Sequence, residues 1–234
     1  MDGATVTATG VAEGGSALYL YDDRLSFKYA TEGPQTTIQI DQPADEVKDF
    51  QFLALIDHNC AGGTAVVKTY PSDARLTPTA IISGTVGSED PYLFDAGSVQ
   101  SGKQYLDVEL DVGTGDMSIG ELGLFTKFDS PRAPLINVSS KLIPNRTYID
   151  LPNGERRSIR HAEPARVKSY RVSGLSRIQA ESWLQIYGEN EGIKLVLLTD
   201  DEDETYPAIM DKALSKAREL NLYSVELDFT EVPV

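Results

Sequence analysis

The sequence is poor in the residues that most catalytic schemes use. Its 234 residues include one cysteine, Cys60, and two histidines. A single cysteine excludes an internal disulfide and a cysteine-based metal cluster. With two histidines, few groups remain for acid–base or nucleophilic catalysis. No apolar run approaches the ~20 residues that a membrane-spanning helix needs. We therefore expect no enzymatic activity, no cofactor and no membrane partner.

Positive charge is scarce as well. The chain has 21 Lys and Arg against 36 Asp and Glu, a formal net charge of −15. A surface this acidic repels phosphate backbones, so we expect no nucleic-acid partner. Hydrophobic residues make up 41% of the chain, which is enough for a packed core. The first residues show neither the basic nor the apolar segment of an export signal, which predicts synthesis in the cytoplasm.

Motifs of common catalytic sites are also missing. We find no Walker loop, no GxGxxG after a strand, no HExxH and no GxSxG. His58 lies between Asp57 and Cys60, a combination that could suggest a catalytic dyad. Adjacent residues of an extended strand point to opposite faces, however, so we prefer a strand end that leads into the Gly62–Gly63 turn.

The first 128 residues carry the pattern of a β-sandwich. From Tyr105 to Val112 the side chains alternate, with apolar residues on one face and Asp107, Glu109 and Asp111 on the other. Other candidate strands, separated by Gly, Pro and Asp turns, lie at 18–21, 37–40, 52–56, 64–70, 80–82 and 118–125. This pattern predicts a mainly β protein whose residues 1–128 form an antiparallel, jelly-roll-like sandwich.

The acidic face of the 105–112 strand allows three interpretations. Together with Asp116, its carboxylates could bind a hard cation such as calcium, although the spacing is not that of an EF-hand. A pair of carboxylates could serve glycoside cleavage. A solvated face that discourages edge pairing needs no ligand. We prefer the solvated face and assign neither catalytic nor metal-binding residues.

Residues 129–234 differ from the first part in composition. We predict a Pro-rich connector at 129–165 with short strands at 135–138 and 147–149, followed by a small α+β assembly domain at 166–234. Ser176 and Gln179 fit a capping box that opens a helix. That helix has an apolar face at Ala180, Trp183, Leu184 and Tyr187 and a predicted end at Gly188.

The rest of the predicted assembly domain alternates strands with a second helix. Strands are predicted at 167–172, 193–198 and 223–230. A helix is indicated by the spacing of Ile209, Ala213, Ala217 and Leu220.

A short basic stretch opposes the global charge. It could meet an acidic neighbour in an assembly, including another copy of the chain, or it could serve solubility alone. With the helix aromatic, the candidate assembly contacts are Arg156, Arg157, Arg160, Arg166, Lys168, Arg171 and Trp183.

Two segments resemble proteins of tailed bacteriophages. Residues 52–59, the strand at 64–70 and residues 119–125 resemble a virion β-sandwich module that is similar to discoidin-like, carbohydrate-binding jelly rolls. Residues 170–176, with the helix and strands that follow, resemble the small domain of phage tail-tip proteins. The resemblance implies a structural protein of the tail tip or baseplate, located in the virion tail after synthesis in the host cytoplasm. It would bind copies of itself and other virion proteins.

The alternative function is a carbohydrate-binding module that recognises glycans on the host surface. Such a module needs aromatic rings on which sugar faces can stack. The candidates are Tyr70, Tyr92, Phe94 and Tyr105, each of which could instead pack in the core.

Overall fold

We analysed a computed structural model that describes residues 4–13, 15–20, 28–45, 47–131, 135–143, 146–150, 156–160, 165–190, 195–199, 204–217 and 222–232. The chain divides into two compact units, unit 1 at 1–128 with Val234 and unit 2 at 129–233. Strands dominate the described residues, which confirms the predicted mainly β class. Within the described residues, no helix is both long enough and apolar enough to span a membrane.

Unit 1 contains two antiparallel sheets. The five-stranded sheet has the order β1-β3-β8-β5-β6 and the four-stranded sheet the order β2-β9-β4-β7. The strands are β1 (Thr5–Ala8), β2 (Tyr29–Ala30), β3 (Gln35–Asp41), β4 (Phe50–His58), β5 (Thr64–Tyr70), β6 (Thr79–Thr85), β7 (Tyr92–Gln100), β8 (Tyr105–Asp111) and β9 (Ser118–Phe125).

A single hydrophobic core joins the two sheets of unit 1. Alternate residues of β3, β5 and β8 meet residues of β4 and β9 in one buried cluster, so the two sheets form a sandwich, as predicted. Each fully buried aliphatic side chain contributes about 1.5–3 kcal/mol. The fully buried members include Ile38, Ile40, Leu53, Leu55, Val67, Leu106, Val108, Ile119 and Leu122.

The prediction of a strand at 18–21 is wrong. Ala17–Leu20 forms a 3₁₀ turn that buries Leu20 and leaves Leu18 exposed. Tyr21 lies outside the described residues. A single turn suffices here because it buries one side chain, whereas a strand would need a neighbour to pair with.

Unit 2 contains a helix on an antiparallel sheet of order β10-β13-β16-β15-β14 and a β11–β12 hairpin. Residues 135–143, which the sequence places in the connector, form β10 and pair with β13. The elements are β10 (Leu135–Ile143), β11 (Arg146–Asp150), β12 (Arg156–Arg160), β13 (Ala165–Leu175), α1 (Arg177–Asn190), β14 (Leu195–Thr199), β15 (Thr205–Ala217) and β16 (Tyr223–Glu231).

The capping box that begins α1 is confirmed. The Ser176 amide donates to Gln179 Oε1 at 2.9 Å, and the Gln179 amide donates to Ser176 Oγ at 3.3 Å. The predicted apolar face packs in the core of unit 2, with Ala180 and Trp183 buried. The predicted end at Gly188 is wrong, because the helix continues to Asn190.

The predicted second helix is also wrong. Its described residues belong to β15, which pairs with both β14 and β16; Leu220 lies outside the described residues. A bulge between Met210 and Lys212 shifts the register, so Met210 and Ala213 are both buried. A spacing of four residues, as between Ala213 and Ala217, also fits one face of a strand, so it does not by itself indicate a helix.

Candidate functional site

One face of the five-stranded sheet points away from the core and is mostly polar. We define the outer face as the odd-numbered residues of β3 and β8 and the even-numbered residues of β5. The strand register arranges them in four rows across the sheet. The rows are Gln35–Asp111–Thr64, Thr37–Glu109–Val66, Gln39–Asp107–Lys68 and Asp41–Tyr105–Tyr70.

Two of these rows form the floor of an open groove of about 540 Å³. The Gln35 side-chain amide donates to Asp111 Oδ2 at 2.7 Å. Lys68 Nζ lies 2.5 Å from Glu109 Oε1 at the next row. The lining consists of Thr9, Gln35, Thr36, Thr37, Thr64, Val66, Glu109, Leu110 and Asp111, which supplies hydroxyl, amide and carboxylate groups to a ligand.

A hydrogen-bond network fixes Thr9 at the edge of the groove. Thr36 Oγ1 donates to the Thr9 carbonyl at 2.7 Å, and the Thr37 amide donates to Thr9 Oγ1 at 2.9 Å. Below them, the hydroxyl of Tyr29 lies 2.7 Å from Thr36 Oγ1. Burial raises the pKa of Tyr29, against a smaller lowering by the Thr36 hydrogen bond. The edge of the groove is therefore supported from below by the neutral, buried side chain of Tyr29.

A loop arginine, which the sequence pattern does not indicate, lies over the last two rows of the outer face. Arg75 lies in the loop between β5 and β6 with φ at +49°. Its Nε donates to Asp107 Oδ1 at 2.7 Å and its Nη2 to Asp41 Oδ1 at 2.5 Å. The guanidinium carbon lies 5.8 Å from the ring centroids of both Tyr70 and Tyr105. We call these five residues the Arg75 cluster.

The prediction that Asp107 lies on a solvated face is wrong. Its side chain is 7% exposed and that of Arg75 is 14% exposed. Alternation correctly placed Asp107 opposite the apolar side chains, but a loop residue 32 positions away covers it. The alternation of residues along one strand does not indicate that a distant loop residue will cover one of them.

The Arg75 cluster fixes the charge states of its members. Burial lowers the pKa of Arg75, but the hydrogen bonds and charges of Asp107 and Asp41 together outweigh burial and raise it. The pKa of Tyr70 is raised, first by burial and then by a hydrogen bond to Asp107 and the negative charge of that carboxylate. At neutral pH the cluster thus presents a permanent cation and an un-ionised Tyr70.

The four candidate glycan contacts fall in two places. Tyr70 and Tyr105 are cross-strand partners on the outer face. Tyr92 donates its hydroxyl to the Thr85 carbonyl and packs edge-on against Phe94, with ring centroids 4.8 Å apart. Phe94 is buried in the core, so we include only Tyr70 and Tyr105 in the candidate site.

The described candidate assembly residues are engaged within unit 2. Arg166 pairs with Glu204 at 3.1 Å and with Glu231 at 3.6 Å. Lys168 and Trp183 are buried, and Arg171 is half-buried in β13. The backbones of Arg156, Arg157 and Arg160 form β12, and their side chains lie outside the described part of the structure. Their role in assembly stays a prediction.

The Asp57–Cys60 segment forms a tight corner. The Cys60 amide donates to His58 Nδ1 at 3.1 Å, and His58 Nε2 lies 3.2 Å from the Glu89 carbonyl. This pattern assigns the neutral ring with its proton on Nε2. Burial raises the pKa of the Cys60 thiol to about 11, so no thiolate nucleophile is available at neutral pH. Lys28 Nζ pairs with Asp57 at 2.5 Å.

The carboxylates of β8 do not assemble into a metal site in the structure. Asp107 is held by Arg75, Glu109 by Lys68, and Asp111 by Gln35 and the Gly113 amide. Across the described residues, no three His, Cys, Asp or Glu side chains group around a common point that could hold a cation.

No family model and no curated protein matches the sequence. Among solved structures, a GH29 fucosidase of Ruminococcus gnavus in complex with fucose is similar, at 18% identity and a TM-score of 0.46, over 55% of this chain. The match spans 26% of the fucosidase chain.

Two separate modules are similar as well. The CBM32 of AlyQ in complex with 4,5-unsaturated mannuronic acid has 18% identity and a TM-score of 0.42, over 53% of this chain and 95% of the module. A CBM32 of the GH89 protein of Clostridium perfringens has 15% identity and a TM-score of 0.42, over 54% of this chain and 96% of the module. None of these three is a phage tail protein, and at these TM-scores the similarity identifies no family.

Proposed function

We propose that unit 1 is a non-catalytic glycan-binding module that holds carbohydrate on its outer face. The groove of about 540 Å³ on the five-stranded sheet carries this proposal. Its volume falls in the range of small-molecule sites, roughly 300–1,000 Å³. The lining side chains stand on paired strands, and sites on strands are held more accurately than sites on loops.

The lining chemistry suits a ligand with many hydroxyl groups. Each sugar hydroxyl can donate one hydrogen bond and accept two. The Thr37 and Thr64 hydroxyls can do the same, the Gln35 amide can donate and accept, and the carboxylates of Glu109 and Asp111 accept. A hydroxyl-rich ligand can therefore satisfy this floor in several orientations.

The aromatic pair extends the same surface. Tyr70 stands six residues along β5 from Thr64, about 20 Å at the strand rise. Tyr70 and Tyr105 are half-buried, and such rings offer apolar area together with a polar tip. One end of a saccharide chain lying along the strands would contact the polar rows, and its other end would contact the two tyrosine rings.

Affinity electrophoresis of the full chain in gels with a panel of polysaccharides tests the proposal. We expect at least one polysaccharide to retard the chain and the Gln35→Ala/Thr37→Ala variant to lose most of that retardation. Gln51→Ala is the matched control, because Gln51 also donates to an aspartate, Asp95 at 3.3 Å, but lies on the four-stranded sheet. The proposal fails if nothing on the panel binds, or if the groove variant binds as tightly as the control.

A structural role in a tailed-phage tail remains a prediction that the sequence resemblance alone supports. Contacts among copies of the chain and a location in the virion belong to that prediction. Electron microscopy of purified particles would test it by finding the chain, or failing to find it, in the tail tip.

A further inference from the structure

Both cations of the outer face already have carboxylate partners. Arg75 contacts Asp41 at 2.5 Å and Asp107 at 2.7 Å. Lys68 contacts Glu109 at 2.5 Å. An incoming anion would share a cation that already carries a carboxylate, so the attraction that it gains is offset by repulsion from that carboxylate.

Negative charge is in excess on this surface. Asp41, Asp107, Glu109 and Asp111 stand against Lys68 and the loop residue Arg75, which leaves a net charge of −2 on the outer face and Arg75 together. The groove is lined by Glu109 and Asp111 and by no basic residue. A carboxylate or sulfate placed in the groove would therefore lie next to like charges.

Hydrogen bonding favours the same kind of ligand. The carboxylates of Glu109 and Asp111 can only accept, so a ligand must bring donors to them. Hydroxyl groups bring donors, whereas the ionised carboxylate of a uronic acid and a sulfate ester bring acceptors alone.

We infer that the outer face selects uncharged glycans and rejects uronic acid-rich or sulfated ones. This inference rests on the proposed function, because it names the ligand class of the same groove. The selection comes from Glu109 and Asp111 and from the engagement of Arg75 and Lys68.

The test compares neutral and acidic polymers of the same backbone. A panel of neutral polysaccharides, polygalacturonate and alginate is screened by affinity electrophoresis at 20 mM NaCl. The neutral polymer that binds best is then oxidised at its primary hydroxyls to carboxylates. We expect the hits to be neutral and oxidation to weaken binding about tenfold or more at 20 mM NaCl, with part of the loss recovered at 500 mM NaCl.

Charge variants separate the groove from the global charge of −15. Glu109→Gln/Asp111→Asn should raise the affinity for the oxidised polymer, relative to its neutral parent, about two- to fivefold, as expected for exposed charge contacts. Asp49→Asn removes an exposed charge just before β4, in the other sheet, and should leave this ratio unchanged. If the double variant does not fold, Asp111→Asn alone should move the ratio in the same direction.

The outcomes distinguish the two proposals. If an acidic polymer binds as tightly as any neutral one and Gln35→Ala/Thr37→Ala removes that binding, the groove binds glycans and the charge selection is wrong. An equal effect of Asp49→Asn and of the groove charge variant would also overturn the selection. If no polymer binds, the proposed function fails and the selection fails with it.

Discussion

Two arginines in this molecule each pair with two carboxylates, one of them in a more buried site than the other. Arg75 in unit 1 pairs with two carboxylates and lies near two tyrosine rings, and Arg166 in unit 2 pairs with two carboxylates and lies near one. The side chain of Arg75 is 14% exposed and its partner Asp107 7%. The side chain of Arg166 is 32% exposed and its partner Glu204 58%. The ion pairs also differ in length, at 2.5 and 2.7 Å for Arg75 and at 3.1 and 3.6 Å for Arg166.

We expect the burial of the carboxylate to raise the cost of losing its arginine partner. Water can solvate Glu204 when Arg166 leaves, because most of that side chain is already exposed. It cannot solvate Asp107 without rearrangement of the loop above it. Arg75 also holds a positive φ, which costs about 1 kcal/mol or more. The loop keeps this conformation because the carboxylates below it offset the strain.

The largest expected effect is that of Arg75→Ala. It should destabilise unit 1 by about 3 kcal/mol, because it strands a buried carboxylate. Arg166→Ala should cost unit 2 about 1 kcal/mol or less. Urea unfolding can follow both units by circular dichroism and unit 2 by the fluorescence of the single tryptophan, Trp183. Equal losses in the two variants would show that burial does not govern the cost.

A smaller effect separates the two carboxylates of the Arg75 cluster. Asp107→Asn should cost about 2 kcal/mol, because the Arg75 guanidinium loses a buried counter-charge and keeps only a neutral amide as acceptor. Asp41→Asn should cost less than about 1 kcal/mol, because 43% of the Asp41 side chain is exposed. The same urea experiment at 1 M NaCl should reduce the Asp41 effect and leave most of the Asp107 effect. A larger loss for Asp41 would contradict the ranking by burial.

The smallest effect concerns the titration of Tyr70. Its pKa is raised by burial and by Asp107, so the folded chain holds this proton at a pH where the unfolded chain has lost it. Its contribution to stability is therefore present below about pH 10, the ordinary value, and is lost as the pH rises through the raised pKa.

Absorbance titration of tyrosinate in the wild type minus Tyr70→Phe measures this pKa directly. Asp107→Asn should lower the value toward that of a free tyrosine, since it removes the neighbouring negative charge. If the Tyr70 pKa is the same with and without the Asp107 charge, Asp107 does not contribute to the raised pKa.

The sequence predicts regular strands better than the contacts that cover them. Alternation in 105–112 gives the correct inward face, because period-two patterning reflects which side is buried. Helical spacing misassigns β15, because the four-residue intervals of Ile209, Ala213 and Ala217 also fit a strand. Only the pairing of β15 with β14 and β16 shows that the segment is extended.

The candidate site is only partly readable from sequence. Tyr70 and Tyr105 were identified as aromatic candidates, but their adjacency depends on the pairing of β5 with β8. Arg75 lies between Pro71 and Pro78 in a segment without periodicity, and its role depends on strands that flank it only in the folded sheet. The groove depends on three strands meeting in register, which no single segment encodes.

The central position of β8 in its sheet has a consequence for biosynthesis. β8 lies between β3 and β5, which both precede it in the chain by many residues. As the polypeptide leaves the ribosome, the β1–β3 and β5–β6 pairs can form early, while the other edges of β3 and β5 must wait for residues 105–111 to emerge. Such nonlocal pairing is slow, on the order of milliseconds to seconds. A nascent chain arrested before Tyr105 should therefore expose the unpaired edges of β3 and β5 to proteases and chaperones until synthesis resumes.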